Sequence, residues 1–285
     1  MSAEVWVWVM IAAVIHALWN AAARHVAGDI AVMWLAFAVG MIVMIPPCIY
    51  IWVQNGPPVL NPIALLCLIA TGVIHAFYYA LLSWSYEGGE ISLVYPISRG
   101  SGVGLTAFGG VILLGEKISL FGGMGIALVL VGISLISLPA LRNSLPQRRN
   151  VFLALSVGLS IVAYSLVDKI GVTLIHPLYF ITGMMIIASL LRWPFVWAQR
   201  RGTLWTTMRT HYKHIAFIGV SSMGAYLLIL YAYTLGPVSY IVAARESSVV
   251  IGALIGFVFL GERYTPLKLA GVLSIAAGLV LIKVG

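Results

Sequence analysis

Long apolar runs, separated by short clusters of glycine, proline and charge, repeat along the whole chain. A helix needs about 20 mostly apolar residues to cross a bilayer, and in hydrocarbon only a helix or a closed barrel satisfies its own backbone. Cut at those clusters, the chain yields ten spans, over residues 5–23, 30–52, 62–86, 91–114, 119–140, 151–170, 178–197, 214–234, 238–260 and 266–284. The first run follows Glu4 rather than a basic segment and has no clear small-residue cleavage pattern after it, so it reads as an anchor rather than a secretory signal. Two connections are longer and basic, at 141–150 (LRNSLPQRRN) and 198–213 (AQRRGTLWTTMRTHYK). Neither is long enough to be a soluble domain.

Composition supports this reading. Of 285 residues, 62% are hydrophobic and 8% charged, whereas a soluble domain carries roughly a quarter charged residues. The net charge of +8 sits mostly in the short connections between spans, where basic residues orient a membrane protein, so no nucleic-acid partner is implied. Cys48 and Cys67 lie inside apolar runs, which offers neither a disulfide framework nor a thiolate metal site.

The fourth and ninth spans resemble each other. RGSGVGLTAFGGVILLGEK, from Arg99 to Lys117, aligns with RESSVVIGALIGFVFLGER, from Arg245 to Arg263, with eight of nineteen positions identical. The match continues through Gly125 with Gly271 and Gly132 with Gly278. Upstream, with a residue or two of slippage, it pairs Asn20 with Asp168, Pro46 with Pro194, Tyr79 with Tyr226 and Trp84 with Tyr231. The chain is therefore a tandem duplication, with one five-span repeat over residues 1–140, a basic linker at 141–150 and a second repeat over 151–285. An odd number of spans per copy forces the second to insert upside down. The expected fold is an all-α integral membrane protein of ten transmembrane helices in two inverted five-helix repeats, an arrangement typical of transporters that work by alternating access.

The paired LLGEK and FLGER motifs, each closing the fourth span of a five-span half, resemble the repeats of the EamA-type drug/metabolite transporter superfamily. The resemblance covers essentially the whole chain. It implies ten helices, a central cavity between the halves, and secondary transport of metabolites, amino acids or related solutes without a nucleotide-binding domain or other cofactor. The HALWN run at residues 16–20 and YPISRG at 95–100 also resemble a branch associated with phosphonate use. Alternate connections divide into a basic set, with Arg24, Arg142, Arg148, Arg149, Arg200, Arg201, Arg209, Lys213 and Arg263, and a sparse one with Lys117, Lys169 and Lys283. By the positive-inside rule the basic set is cytoplasmic and both termini lie outside, whereas members of the superfamily are often drawn with both termini inside. A multi-pass protein of the cell (inner) membrane, monomeric or homodimeric, is expected.

Charges inside a span are costly, so each is a functional candidate whose partner must be found. Arg99 lies nine residues into its span and Arg245 eight into the matching one, each about 12 Å deep at the helical rise. Inversion sets them on either side of the midplane, flanking a central cavity. They read either as cationic clamps for a carboxylate, phosphate or phosphonate, or as ties between helices. Glu246, whose counterpart is Gly100, is a candidate proton-coupling carboxylate; the competing reading is a permanent salt bridge with a neighbouring arginine. His16 and His75 can relay a proton or donate to a solute, though a lone helical histidine is more often simply hydrogen-bonded. His16, Trp19 and Asn20 form a polar stripe at helical spacing; Tyr164 and Asp168 hold the matching places, but Asp168 falls near the end of its predicted span. Tyr78, Tyr79, Trp84, Tyr226 and Tyr231 read mostly as packing or interfacial belt, with the repeat-matched Tyr79 and Tyr226 the best candidates to line a cavity.

Other motifs read as architecture. Pro96 must free a backbone carbonyl near Arg99, and Pro46 and Pro194 bend their spans as gates or as static kinks. Gly100 to Gly104 lacks the strand and lysine of a phosphate loop, and Gly252 with Gly256 reads as helix packing. Glu116 and Glu262 read as turn punctuation at the membrane surface. His211 and His214 have no carboxylate or cysteine company, which makes a metal site an unfavoured reading.

The function expected from these residues is a secondary carrier for a small anionic or zwitterionic metabolite, with protons as coupling ion. One alternative is a proton-coupled exporter of amino acids or cationic drugs, centred on Glu246 and the aromatics. A remoter one is a membrane scaffold or lipid-handling protein, in which Arg99, Arg245 and Glu246 pair among themselves around a closed interior. No enzyme is expected, for want of a nucleophile with an oriented base.

Overall fold

The computed structural model describes residues 1–26, 29–88, 91–143, 148–259 and 265–285. Glu262 and Arg263, and the side chains of Arg24, Pro96 and Arg142, lie outside the described residues. The helices are α1 (Ala3–His25), α2 (Ile30–Asn55), α3 (Pro62–Gly88), α4 (Ile91–Leu114), α5 (Leu120–Asn143), α6 (Arg148–Leu174), α7 (Pro177–Arg200), α8 (Leu204–Leu235), α9 (Val238–Ala244), α10 (Ser247–Phe259) and α11 (Pro266–Val284), with no strand among the described residues. Ten segments are long and apolar enough to cross a membrane, α9 and α10 together supplying one of them. On α1, Val7, Ile11, Val14 and Leu18 recur every three or four residues and stay exposed, while Val5, Val9, Ala12 and Ala13 are buried. One face of the helix meets lipid and the other meets protein.

The inversion of the halves is visible where α5 meets α11. A Cβ at Gly125 would lie 2.6 Å from the Gly278 carbonyl oxygen, and one at Gly278 equally close to that of Gly125. Gly132 and Gly271 repeat the contact at 2.6 and 2.7 Å. The pairing of 125 with 278 and of 132 with 271 makes the two helices antiparallel. Because Gly125 matches Gly271 and Gly132 matches Gly278 in the repeat, the contact is reciprocal, as a two-fold axis in the membrane plane requires. The side-chain-free stripe lets the backbones approach without a competing Cβ.

The contact of α1 with α8 recurs as that of α6 with α3. Symmetry fails at the next pair, where α4 packs along α6 much more extensively than α9 and α10 pack on α1. Gly158 permits the closer approach: a Cβ there would collide with the Ser101 hydroxyl and lie 3.0 Å from the Ser98 carbonyl oxygen. The matching position in the first half carries Met10.

Three boundaries differ from the hydropathy reading. Helix α8 begins at Leu204, ten residues before the predicted span at 214, with a non-helical residue at His211 (φ −112°, ψ 17°). Its exposed first turns stack Arg209 over Trp205 (4.8 Å) and Lys213 over Tyr212 (5.8 Å). Hydropathy marks where hydrocarbon ends, whereas a helix can continue into the headgroup region on local hydrogen bonds. Helix α6 likewise runs past residue 170 to Leu174, which brings Asp168 inside the protein. The predicted ninth span is interrupted at Arg245 and Glu246.

The ends of the broken element are tied by charges from elsewhere. Glu116 accepts the N–H groups of Val238 (2.6 Å) and Ser239 (3.1 Å) and the Ser239 hydroxyl. A carboxylate at a helix N-terminus satisfies orphan donors and complements the dipole. The glutamate read as turn punctuation is thus a cap that the first repeat places on the second. Lys169 donates to the carbonyls of Tyr233 (2.5 Å) and Gly236 (2.9 Å), closing the C-terminal end of α8. Lys283 reaches the Met1 carbonyl at 3.3 Å, so the two termini share one face.

Two outcomes are expected. Gly132→Leu, which forces a side chain into the Gly271 backbone, should destabilise the protein by about 1–3 kcal/mol, read as a lower Tm in detergent; Val7→Leu on the lipid face should leave Tm unchanged. Glu116→Ala should cost about 1 kcal/mol and speed amide exchange at Val238 and Ser239 ahead of the rest of the fold.

Candidate functional site

The interruption between α9 and α10 gathers the intramembrane charge. At Arg245 and Glu246 the backbone switches to shorter bonds: Glu246 N–H to Ala243 O (3.1 Å), Ser248 N–H to Arg245 O (3.1 Å) and Val249 N–H to Glu246 O (2.9 Å). The matching stretch of α4 around Arg99 is continuous helix. A local tightening of this kind often marks a functional hinge, and broken helices at mid-membrane recur in transporter binding sites. In the sequence the break shows only as a polar stretch, Arg245 to Ser248, inside an apolar run, and polarity alone does not reveal it, because the matching stretch around Arg99 stays helical.

Arg99, Val103, Ile161, Val242, Arg245 and Glu246 line one narrow crevice. Both arginines expected to flank a central cavity are therefore brought together. Their partners differ. Arg99 Nε lies 3.5 Å from Glu246 Oε1, an ion pair between the halves. The second Glu246 oxygen is buried and has no hydrogen-bond partner among the described residues. Arg245 has no carboxylate within 4 Å among the described residues; its guanidinium lies over the Tyr226 ring, 5.7 Å from the centroid. A cation over an aromatic face keeps its hydrogen-bonding edges for another group.

Below Tyr226 lies a polar cluster. Asp168, fully buried, accepts hydrogen bonds from the Tyr226 hydroxyl at one oxygen and from the Thr71 hydroxyl at the other. His75 Nδ1 lies 2.9 Å from the Thr71 carbonyl oxygen and 3.1 Å from its hydroxyl, and the imidazole stacks on Tyr164 (4.5 Å) and meets Tyr226 edge-on (5.6 Å). Helices α3, α6 and α8 each supply a member. Sequence position set Asp168 aside as an interfacial residue, yet the repeat alignment with Asn20 carried the signal: both halves keep a polar side chain there.

The remaining candidates sit at varying distances from this centre. His16 is within electrostatic range of Arg99 and Arg245, and packs edge-on against Trp19 at 5.0 Å. The Asn20 amide donates back to the His16 carbonyl at 2.7 Å, and Trp19 packs against the apolar cluster of Val32, Ala36, Ile215 and Ile218. Tyr79 stacks on Phe37 (4.6 Å) beneath Arg192, whose guanidinium is 5.2 Å from the Tyr79 centroid and 5.9 Å from that of Phe37. Arg192, inside α7, is an intramembrane charge the span-by-span reading passed over; its flanking run, LLRWPFVW, is apolar enough to hide it. Tyr78 bridges Tyr79 and Tyr164. Tyr231 packs with Trp8 and His176 away from the cluster, and Trp84 is exposed.

Comparison with known proteins agrees with this architecture. A solved crystal structure of a protein, 12% identical, superposes with a TM-score of 0.78 over 100% of this chain and 98% of its own, a likeness of fold. No curated protein matches the chain. The model of the EamA-like transporter family matches twice, over residues 5–138 and 148–284. With a family repeat across each inverted half, the chain belongs to the EamA-like transporter family and is a multi-pass membrane transporter.

Proposed function

We propose that the protein is a secondary carrier of the cell membrane that moves a small anionic or zwitterionic metabolite by alternating access, with Arg245 as the anion-holding group. The observation that carries this is the asymmetry between the two arginines. Arg99 faces Glu246 across 3.5 Å, whereas Arg245 reaches the same crevice with no carboxylate partner among the described residues. A guanidinium held in low dielectric by an aromatic face attracts a carboxylate, phosphate or phosphonate and can bind it through two parallel bonds. The scaffold alternative requires a closed interior, which the narrow crevice fits, and the pairing of all three charges among themselves, from which Arg245 stands apart.

The zwitterionic form of the reading has its own support. Glu246 adjoins Arg245 in the chain and lines the same crevice, with one oxygen unpartnered among the described residues. A carboxylate on Arg245 and an ammonium on Glu246 would satisfy both groups of an amino acid. The unequal packing of α4 on α6 and of α10 on α1 is the kind of difference alternating access exploits, since exchanging the two packings would exchange the open side.

The carrier reading predicts that a thermal-shift panel of inorganic phosphate, methylphosphonate, alanine, glutamate and tetraphenylphosphonium stabilises the protein with an anionic or zwitterionic member and not with the lipophilic cation. Uptake of that member into proteoliposomes should fall roughly tenfold or more in Arg245→Ala, as expected for about 1.5–3 kcal/mol of lost charged hydrogen bonding, and only partly in Arg245→Lys. Uptake unchanged in Arg245→Ala would sink the reading, and stabilisation by tetraphenylphosphonium alone would favour a cation exporter. Arg99→Ala should instead lower stability by about 3 kcal/mol, by stranding Glu246, and show as a Tm loss larger than that of Arg245→Ala.

A further inference from the structure

Among the described residues three carboxylates are drawn into the body of the protein, and their partners divide them. Each oxygen of Glu116 takes a backbone N–H group, from Val238 and Ser239, and one of them also takes the Ser239 hydroxyl. Glu246 faces the Arg99 guanidinium. Backbone N–H groups and guanidinium can only donate. Among the described residues Asp168 is held by hydroxyls alone, Thr71 at one oxygen and Tyr226 at the other. A hydroxyl donates to an ionised carboxylate and, after a rotation about its own C–O bond, accepts from the neutral acid. Asp168 can therefore exist in both protonation states with its hydrogen bonds intact, at the centre of a membrane protein where an unmade bond is costly.

From this geometry we infer that Asp168 is the group that takes up and releases the coupling proton, an assignment that rests on the carrier reading above. A proton from water on one side forms the O–H bond at an Asp168 oxygen, and that bond breaks to return the proton to water on the other side. No other group changes charge. Tyr226 links this event to the solute, because the same side chain donates to Asp168 through its hydroxyl and carries Arg245 on its ring face. Protonation frees Tyr226 from an anionic acceptor and removes a negative charge from the neighbourhood of Arg245, so an incoming anion and the proton favour each other's binding. The titratable or charged groups facing Asp168 are Cys67 and His75 from α3, Tyr226 and Tyr233 from α8, and Arg245 at the helix break. His75 adjoins Thr71 through its Nδ1. Its neighbours Tyr164 and Tyr226 leave Arg245 as the nearby cation among these groups.

Infrared difference spectra of the intact protein in phosphatidylethanolamine–phosphatidylglycerol vesicles, recorded while pH is stepped, test the assignment without knowledge of the solute. The carbonyl stretch of a protonated carboxyl group should appear on acidification in the wild type, vanish in Asp168→Asn and persist in Glu246→Gln. Tyr226→Phe should keep the band but move it to higher frequency, the mark of an acid with one hydrogen bond fewer, which covers the case in which Asp168→Asn fails to fold. In the same vesicles, uptake of whichever of inorganic phosphate, methylphosphonate and alanine the wild type carries should respond to an imposed pH gradient. The ratio of uptake with and without the gradient should return to one in Asp168→Asn. A band that survives Asp168→Asn, a band lost only in Glu246→Gln, or a wild type indifferent to the gradient overturns the inference. A titrating Asp168 in a protein that carries none of the three solutes would instead count against the anion and zwitterion reading, leaving the protonation site standing.

Discussion

Inside hydrocarbon a polar group has only the protein to turn to, and the arrangement of this molecule follows from that constraint. Backbone donors at the start of α9 take the Glu116 carboxylate, and carbonyls at the end of α8 take the Lys169 ammonium. Neither side chain belongs to the elements it ties: Glu116 follows α4 in the first repeat and Lys169 lies on α6. The loop between α8 and α9, short as it is, is clamped from both sides by charge. The broken helix beyond it is thereby given a fixed start, from which its interruption at Arg245 and Glu246 can be aimed.

The same constraint explains why the charged residues of the centre do not form one symmetric knot. Two arginines occupy equivalent positions in the repeats, but a single acid stands beside them, because Glu246 replaces the Gly100 of the first half. One cation is neutralised across the repeat interface at 3.5 Å, and the other rests on the Tyr226 ring. One substitution against the symmetry thus gives two equivalent arginines different surroundings. The backbone break occurs in the half that carries the extra acid.

Packing shows a comparable division. The α5–α11 seam is reciprocal to within 0.1 Å at its glycine contacts, which suits a fixed axis about which the halves are related. The α4–α6 seam is not reciprocal with α1–α10. Gly158 opposite Ser98 and Ser101 admits a close approach that Met10, its counterpart, would obstruct. The seam that breaks the symmetry runs beside the crevice, which Arg99 and Val103 of α4 and Ile161 of α6 help to line.

The sequence by itself determined the class, the number of spans and the duplication, because hydrophobic length and an odd-numbered repeat are one-dimensional quantities that a bilayer converts directly into topology. It also singled out Arg99, Arg245, Glu246, His75 and Tyr226, since charge or polarity within an apolar run is visible without coordinates. What it could not do was pair them. Asp168 looked interfacial because hydropathy ended its span too early, Arg192 was hidden by its apolar flanks, and Glu116 looked local because its partners lie more than a hundred residues away in the other repeat. The polar stretch from Arg245 to Ser248 did not announce the break, because the matching stretch around Arg99 forms a continuous helix. Which arginine meets an acid, which carboxylate meets only hydroxyls, and which seam closes tightly were settled by the tertiary structure alone, because each depends on distances between helices that the chain encodes only through their packing.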